Sequence, residues 1–213
     1  MREDTVTTKV YQFDELSDRA KDKARDWWRD CENQEFGQQI ELEFAETAAN
    51  LLGIEFDTKT VKLMSGRTWQ ESVIYWSGFG SQGDGASFKG RYSFAADSPD
   101  KIHAEFGKDK ELWQIAVDLA ELQSKNNNSL SAKIDQRGNY VHSGTMHIDW
   151  AERVDGEDVT AGAEEELERI LRAFADWIYD GLRQEYDYRM SNEAVDDSIR
   201  ANEYEFTETG KRY

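Results

Sequence analysis

The sequence predicts an α+β fold: an antiparallel sheet with amphipathic helices packed on it, a long C-terminal helix and a short terminal strand. Three observations carry this. Short runs rich in β-branched and aromatic residues gather between residues 54 and 94 and again between 130 and 150. Apolar residues recur at helical spacing in several separate stretches. Near the end, Tyr204 and Phe206 alternate with Glu203, Glu205 and Thr207, which is strand period.

Residues 5–13 (TVTTKVYQF) read as a first strand. Ser17 is placed to cap a helix whose inner face carries Ala20, Ala24, Trp27, Trp28 and Cys31. Of the adjacent pair Trp27 and Trp28, one has to lean away from that stripe. A second helix starts near Gly37, with Ile40, Phe44, Ala48, Leu51 and Leu52 in register. Gly53 ends it in a left-handed conformation, and Ile54 folds back on the last turn. Residues 54–64, 72–79 and 86–94 follow as strands; Phe88, Tyr92 and Phe94 point one way in the last of them. Ser98 and Pro99 suit the cap and first turn of a short helix to Phe106. Leu112, Ile115, Ala116, Leu119 and Leu122 mark a firm amphipathic helix, stopped by Asn126, Asn127 and Asn128. Residues 130–135 and 139–150 form a hairpin around Gln136–Asn139 that joins the strands of 54–94 in one sheet. An acidic segment, 152–166, leads into the longest helix. Its stripe is Leu167, Ile170, Leu171, Phe174, Trp177, Ile178, Leu182, Tyr186 and Met190. Ile199 closes a last short helix, and the strand at 204–206 returns to pair with residues 5–13. The chain reads as a single domain over 1–213. It has an opening strand–helix–helix unit at 1–53, sheet and helices at 54–150, and a long acidic helix with tail at 151–213.

Composition bounds the function. The 213 residues include 7 Trp, 9 Tyr and 10 Phe, enough large side chains to fill a core despite 38% apolar content. The formal net charge is −18, and the last 63 residues hold 18 Asp and Glu against 8 Lys and Arg. Such a field repels nucleic acid and anionic membranes and suits a basic partner. The opening MREDTVTTKVYQF lacks a signal peptide's apolar core, and no apolar run reaches the ~18–20 residues a bilayer requires. The expectation is a soluble, cytoplasmic protein. Cys31, the single cysteine, reads as a buried, inert thiol. His142 and His147 lie five apart on a strand, on opposite faces, with His103 distant. No metal site and no cofactor is expected.

The stretch WSGFGSQGDGASF at 76–88 carries four glycines between aromatic brackets. It has no P-loop Lys. The spacing G-x-G-x-x-G from Gly78 to Gly83 leads into a strand, where a dinucleotide site would need a helix. The physical reading is a wide hairpin turn, with Gly83 and Gly85 free to take positive φ and Asp84 bonding the local backbone. The competing reading is a loop that contacts a partner or ligand through Trp76, Phe79, Ser81, Gln82 and Asp84. No catalytic residue is assigned; the carboxylates are too many for any pair to stand out.

Three stretches, YQFDELSDRAKDKARDWWRD at 11–30, YWSGFGSQGDGASFKG at 75–90 and NEYEFTETGKRY at 202–213, carry a resemblance. The chain resembles a family of uncharacterised phage- and prophage-encoded proteins, some labelled as the antitoxin of a toxin–antitoxin stability system. The resemblance implies an accessory protein acting in the cytoplasm of a bacterial host cell. Charge and resemblance together point to a non-enzymatic acidic binding protein. It neutralises or modulates a protein partner with a basic surface, in an antitoxin-like, anti-defence or host-takeover role, without direct nucleic acid binding. The alternative is an enzyme or small-ligand binder that uses the 76–88 loop.

Overall fold

The computed structural model describes residues 9–35, 39–63, 65–151 and 159–213. The fold is α+β, with antiparallel sheets, amphipathic helices and a long C-terminal helix. Where the sequence reads as one domain, the chain divides into two compact units. One gathers Met1–Gln38 with Arg183–Tyr213, and the other is Gln39–Leu182. The expected opening unit at 1–53 is therefore split, because its second helix belongs with the sheet.

In the larger unit, α2 (Gln39–Leu52) turns Ala45, Ala48, Ala49 and Leu52 inward. Phe44, expected on the inner face, is 57% exposed. A stripe of alanines lets the helix backbone approach the sheet, and that sets the helix phase against the bulkier Phe. Gly53 follows at φ +82°, where a Cβ would lie 2.1 Å from the Ser93 carbonyl, so only glycine fits the turn into β2 (Ile54–Phe56).

The expected single sheet is instead a four-stranded antiparallel sheet and two separate hairpins. The sheet runs in the order β2, β7 (Gly90–Tyr92), β8 (Ser131–Gln136), β9 (Met146–Ala151). The hairpins are β3 (Thr58–Lys62) with β4 (Thr68–Ser72), and β5 (Ile74–Ser77) with β6 (Gly85–Phe88). All three runs read as continuous strands, 54–64, 72–79 and 86–94, break at a three-way junction. Asp57 N–H donates to Lys89 O (2.8 Å), Lys89 N–H to Val73 O (3.0 Å) and Val73 N–H to Asp57 O (2.7 Å). Each ladder changes partner there. The β8–β9 connection is also longer than the expected turn at Gln136–Asn139: the strands end at Gln136 and resume at Met146, with a 3₁₀ turn at Ser143–Thr145.

Three helices complete this unit's core. The N-cap of α3 (Ser98–Phe106) is Asp97 at φ 57°, one residue before the expected Ser98, and Pro99 stands in the first turn. Leu112, Ile115, Ala116, Leu119 and Leu122 of α4 (Lys110–Lys125) are all buried, as their spacing predicts. From α5 (Ala163–Arg189), the buried stripe is Ala163, Leu167, Ile170, Leu171, Phe174, Ala175, Ile178 and Leu182. Trp177, expected inside, is half-buried, and Met190 lies past the helix end. The core contains a polar knot. The Gln123 amide donates to Tyr92 Oη (3.0 Å) and Leu130 O (2.8 Å) and accepts from Leu130 N–H (3.0 Å). Burial pushes the Tyr92 phenol up to about 12. Residues 152–158 of the acidic run at 152–166 lie outside the described residues, as do residues 5–8 of the first predicted strand.

The smaller unit brings the two ends of the chain together. β1 (Tyr11–Gln12) pairs antiparallel with β10 (Glu205–Phe206), the terminal pairing the sequence predicts. Phe13, Leu16, Ala20 and Ala24, the last two from α1 (Asp18–Glu35), pack with Val195 and Ile199 of α6 (Asn192–Ala201) and with Phe206. An Arg25–Asp196 fork joins the two helices (Nε to Oδ1 2.6 Å, Nη2 to Oδ2 2.8 Å). Trp27 leans inward, edge-on to Tyr204 and Phe206 at 5.2 and 5.7 Å. Cys31 is exposed, against expectation. The apolar contacts of α1 centre on Ala20, Ala24 and Trp27, and position 31 falls beyond them. No described helix is long and apolar enough to cross a membrane.

Candidate functional site

The five residues singled out in the glycine-rich stretch come together at one end of the β5–β6 hairpin. The strands pair from Ile74 opposite Phe88 to Ser77 opposite Gly85, so the stretch is a hairpin connection as its composition predicts. Three devices hold it. First, Asp84 folds back on the turn: its Oδ2 accepts from Gly80 N–H (2.9 Å) and Ser81 N–H (2.6 Å), and Ser77 Oγ donates to Oδ1 (3.4 Å). The Ser81 and Gly80 N–H groups hold the Asp84 carboxyl below its ordinary range, against a small opposing effect of burial. Second, Trp76 stacks on Phe79 (5.4 Å) and Phe79 on Tyr179 of α5 (5.6 Å). Third, Tyr179 Oη donates to Gly78 O at 2.9 Å.

Glycine is required where the loop is tightest. A Cβ on Gly78 would come within 2.8 Å of Asp84 Oδ2, and one on Gly85 within 2.5 Å of His142 Cβ. The hairpin loop thus nests against the 137–145 connection, whose Tyr140 is 67% exposed and stands beside Gly83. His142 Nδ1 accepts from Gly144 N–H (3.1 Å), a local bond that shapes this neighbouring turn.

The geometry divides the five residues into two roles. Asp84, Trp76 and Phe79 position the loop. Ser81 and Gln82 are exposed and face outward. Asp84 bonds the local backbone, as the hairpin-turn reading expects: its Oδ2 orders the loop's own N–H groups. Tyr140, which sequence reasoning missed, joins Ser81 and Gln82 on the accessible side. Its signal was weak, a lone tyrosine after Arg-Gly-Asn in a predicted turn.

A second feature was also missed. Asp109 caps α4 (Oδ1 from Leu112 N–H, 2.9 Å) and accepts from Trp177 Nε1 (2.8 Å). Glu111 beside it is held above the usual carboxylate range, by burial first and then by the charges of Asp180, Asp109 and Asp176. Among the described residues no group of three or more His, Cys, Asp or Glu is arranged to hold a metal ion.

The class defined by these features is an acidic α+β protein that displays a rigid, braced hairpin loop. The chain belongs to a family described as a domain of unknown function, DUF8835, whose model matches residues 38–192. The match takes in the whole sheet unit and the loop; of the three stretches that carry the phage-protein resemblance, only 75–90 lies inside it. No curated protein and no solved structure matches the chain.

Proposed function

We propose that this chain is a non-enzymatic acidic binding protein that neutralises or modulates a protein partner inside a bacterial cell, in an antitoxin-like, anti-defence or host-takeover role. The observation that carries the reading is the pre-organised loop at 77–85. Its conformation is fixed by Asp84, Phe79 and Tyr179, while Ser81, Gln82 and the neighbouring Tyr140 are left exposed. A loop ordered in advance loses little conformational entropy on binding, and tyrosine with small polar neighbours is the chemistry of protein recognition. The net charge of −18 supports a partner with a basic face.

The test is co-purification from phage-infected cells with the parent and with the triple variant Ser81→Ala, Gln82→Ala, Tyr140→Ala. All three side chains are exposed, so the melting temperature stays within about 2 °C of the parent. The proposal expects a protein partner retained by the parent in low salt and lost by the variant. Equal retention by the variant removes the loop from the binding surface. Recovery of a small molecule in place of a protein transfers the loop to the ligand-binding reading.

A further inference from the structure

The hairpin of β3 and β4 stands apart from the four-stranded sheet. Its strands pair only with each other, in register from Thr58 opposite Ser72 to Lys62 opposite Thr68. Every side chain in the two strands is exposed or half-buried. A two-stranded hairpin with no packed face is marginal in water, so a covering surface is expected. Val61 stands opposite Trp69, and Leu63 continues that period; Leu63 is 46% and Trp69 44% exposed. Charge sets the hairpin apart as well. Residues 58–72 hold Lys59, Lys62 and Arg67 against Glu71 alone, in a chain of net charge −18. Lys59 is paired with Glu71 at 3.4 Å, which leaves Lys62 and Arg67, at the hairpin's free end, without a carboxylate among the described residues. What covers this hairpin has to bring apolar surface and negative charge together.

The same unit carries a surface of that kind. A pocket of about 670 Å³, lined mostly by apolar surface, opens at the turn from α3 to α4. Trp113 forms one wall and is 41% exposed; Asp100, His103 and Asp109 also line it. Lys108 and Lys110 line it too, but carboxylates outnumber them. Beside Asp109 stand Glu111 and, on α5, Asp176 and Asp180, close enough for their charges to act on one another. Asp176 and Asp180 are both exposed and lie four apart on the helix, a like-charged pair that an incoming cation relieves. No described hairpin residue lines this pocket, so it is open to another molecule.

We propose that the free end of the β3–β4 hairpin docks in the α3–α4 pocket of a second copy of this chain, with Leu63 and Trp69 covering the wall at Trp113 while Lys62 and Arg67 meet Asp176 and Asp180. The occupant is a second copy because the two surfaces match in both respects, apolar strip to apolar pocket and cations to carboxylates, and every copy carries both. A nucleic acid suits the cations, but the field of the whole chain repels it. The inference rests neither on the loop at 77–85 nor on a basic partner.

Sedimentation equilibrium of the full chain at low salt tests it. The parent self-associates as concentration rises, and added salt weakens the association. The hairpin reversal Lys62→Glu, Arg67→Glu and the pocket-side reversal Asp176→Lys, Asp180→Lys each weaken it at least about tenfold, and the chain with all four substitutions regains it to within about threefold of the parent. All four side chains are exposed, so each variant melts within about 2 °C of the parent. The loop variant Ser81→Ala, Gln82→Ala, Tyr140→Ala self-associates like the parent, so failure of the loop reading and failure of this one are distinguishable. A parent that stays monomeric overturns the proposal. So does association that either reversal leaves intact, or that the fourfold variant fails to regain. A labelled single-stranded oligonucleotide held by the parent and released by the hairpin reversal gives the hairpin to nucleic acid and overturns it as well.

Discussion

Replacing Phe174 by alanine is the sharpest stability test of the larger unit. The side chain is fully buried, and its ring lies among three others: Trp177 at 5.6 Å and Phe88 at 5.7 Å, with Phe56 at 6.5 Å. Truncating a closed-core phenylalanine costs about 3–5 kcal/mol, the removed apolar surface and the residual cavity both contributing. Well-placed aromatic pairs add about 0.5–1.5 kcal/mol each beyond burial, which puts this site at the upper end, near 5 kcal/mol. For a chain of this length each kcal/mol moves the melting temperature by about 2–4 °C, so a fall of about 10–20 °C is expected. Urea unfolding followed by far-UV circular dichroism and by tryptophan fluorescence measures it. Where the two compact units unfold separately, only the transition of the unit at residues 39–182 moves. The companion Phe174→Leu keeps most of the volume and costs about 1–1.5 kcal/mol. A Phe174→Ala protein that unfolds within about 1 kcal/mol of the parent refutes the assignment of this ring cluster as the centre of the core.

Trp177→Phe removes the indole bond to Asp109 but keeps a ring against Phe174 and Phe106, and it costs about 1–2 kcal/mol in the same urea assay; a loss as large as that of Phe174→Ala shows the indole to be a full core residue. Asp84 makes the hairpin loop acid-sensitive. Its carboxyl is held below the ordinary value of 3.8, so its contribution is complete above that value and disappears as the pH falls through its lowered folded value. Amide exchange at Gly80 and Ser81 should accelerate over that acid range in the parent and lose the pH step in Asp84→Asn. In the smaller unit, Arg25→Ala breaks the fork to Asp196 and costs about 1.5–3 kcal/mol, whereas Arg25→Lys restores only part because an ammonium cannot fork; equal stability of all three proteins by thermal melt removes the fork from the fold's support.

Periodicity and local chemistry determined the elements. Leu112 to Leu122 and Leu167 to Leu182 declared their helices and inner faces, because a 3.6-residue period is a local property that tertiary contacts merely use. Gly53 declared a left-handed helix end, and Tyr204 with Phe206 declared a terminal strand, since both depend on neighbours in sequence. The glycine-rich stretch was legible as a hairpin connection for the same reason. Tertiary structure decided what depends on distant groups. The junction of Asp57, Val73 and Lys89 split the expected sheet through backbone bonds that no side-chain pattern encodes. The alanine face of α2 turned Phe44 outward, because close helix-to-sheet packing outweighs the burial of one ring. Tyr179 reached Gly78 across 101 residues, and Tyr140 came to stand beside Gly83, so the brace and the accessible face of the candidate site were invisible in the linear order. The pairing of the two chain ends in one unit set Trp28, Tyr188 and Tyr204 around a common groove, a constellation made by long-range chain closure alone.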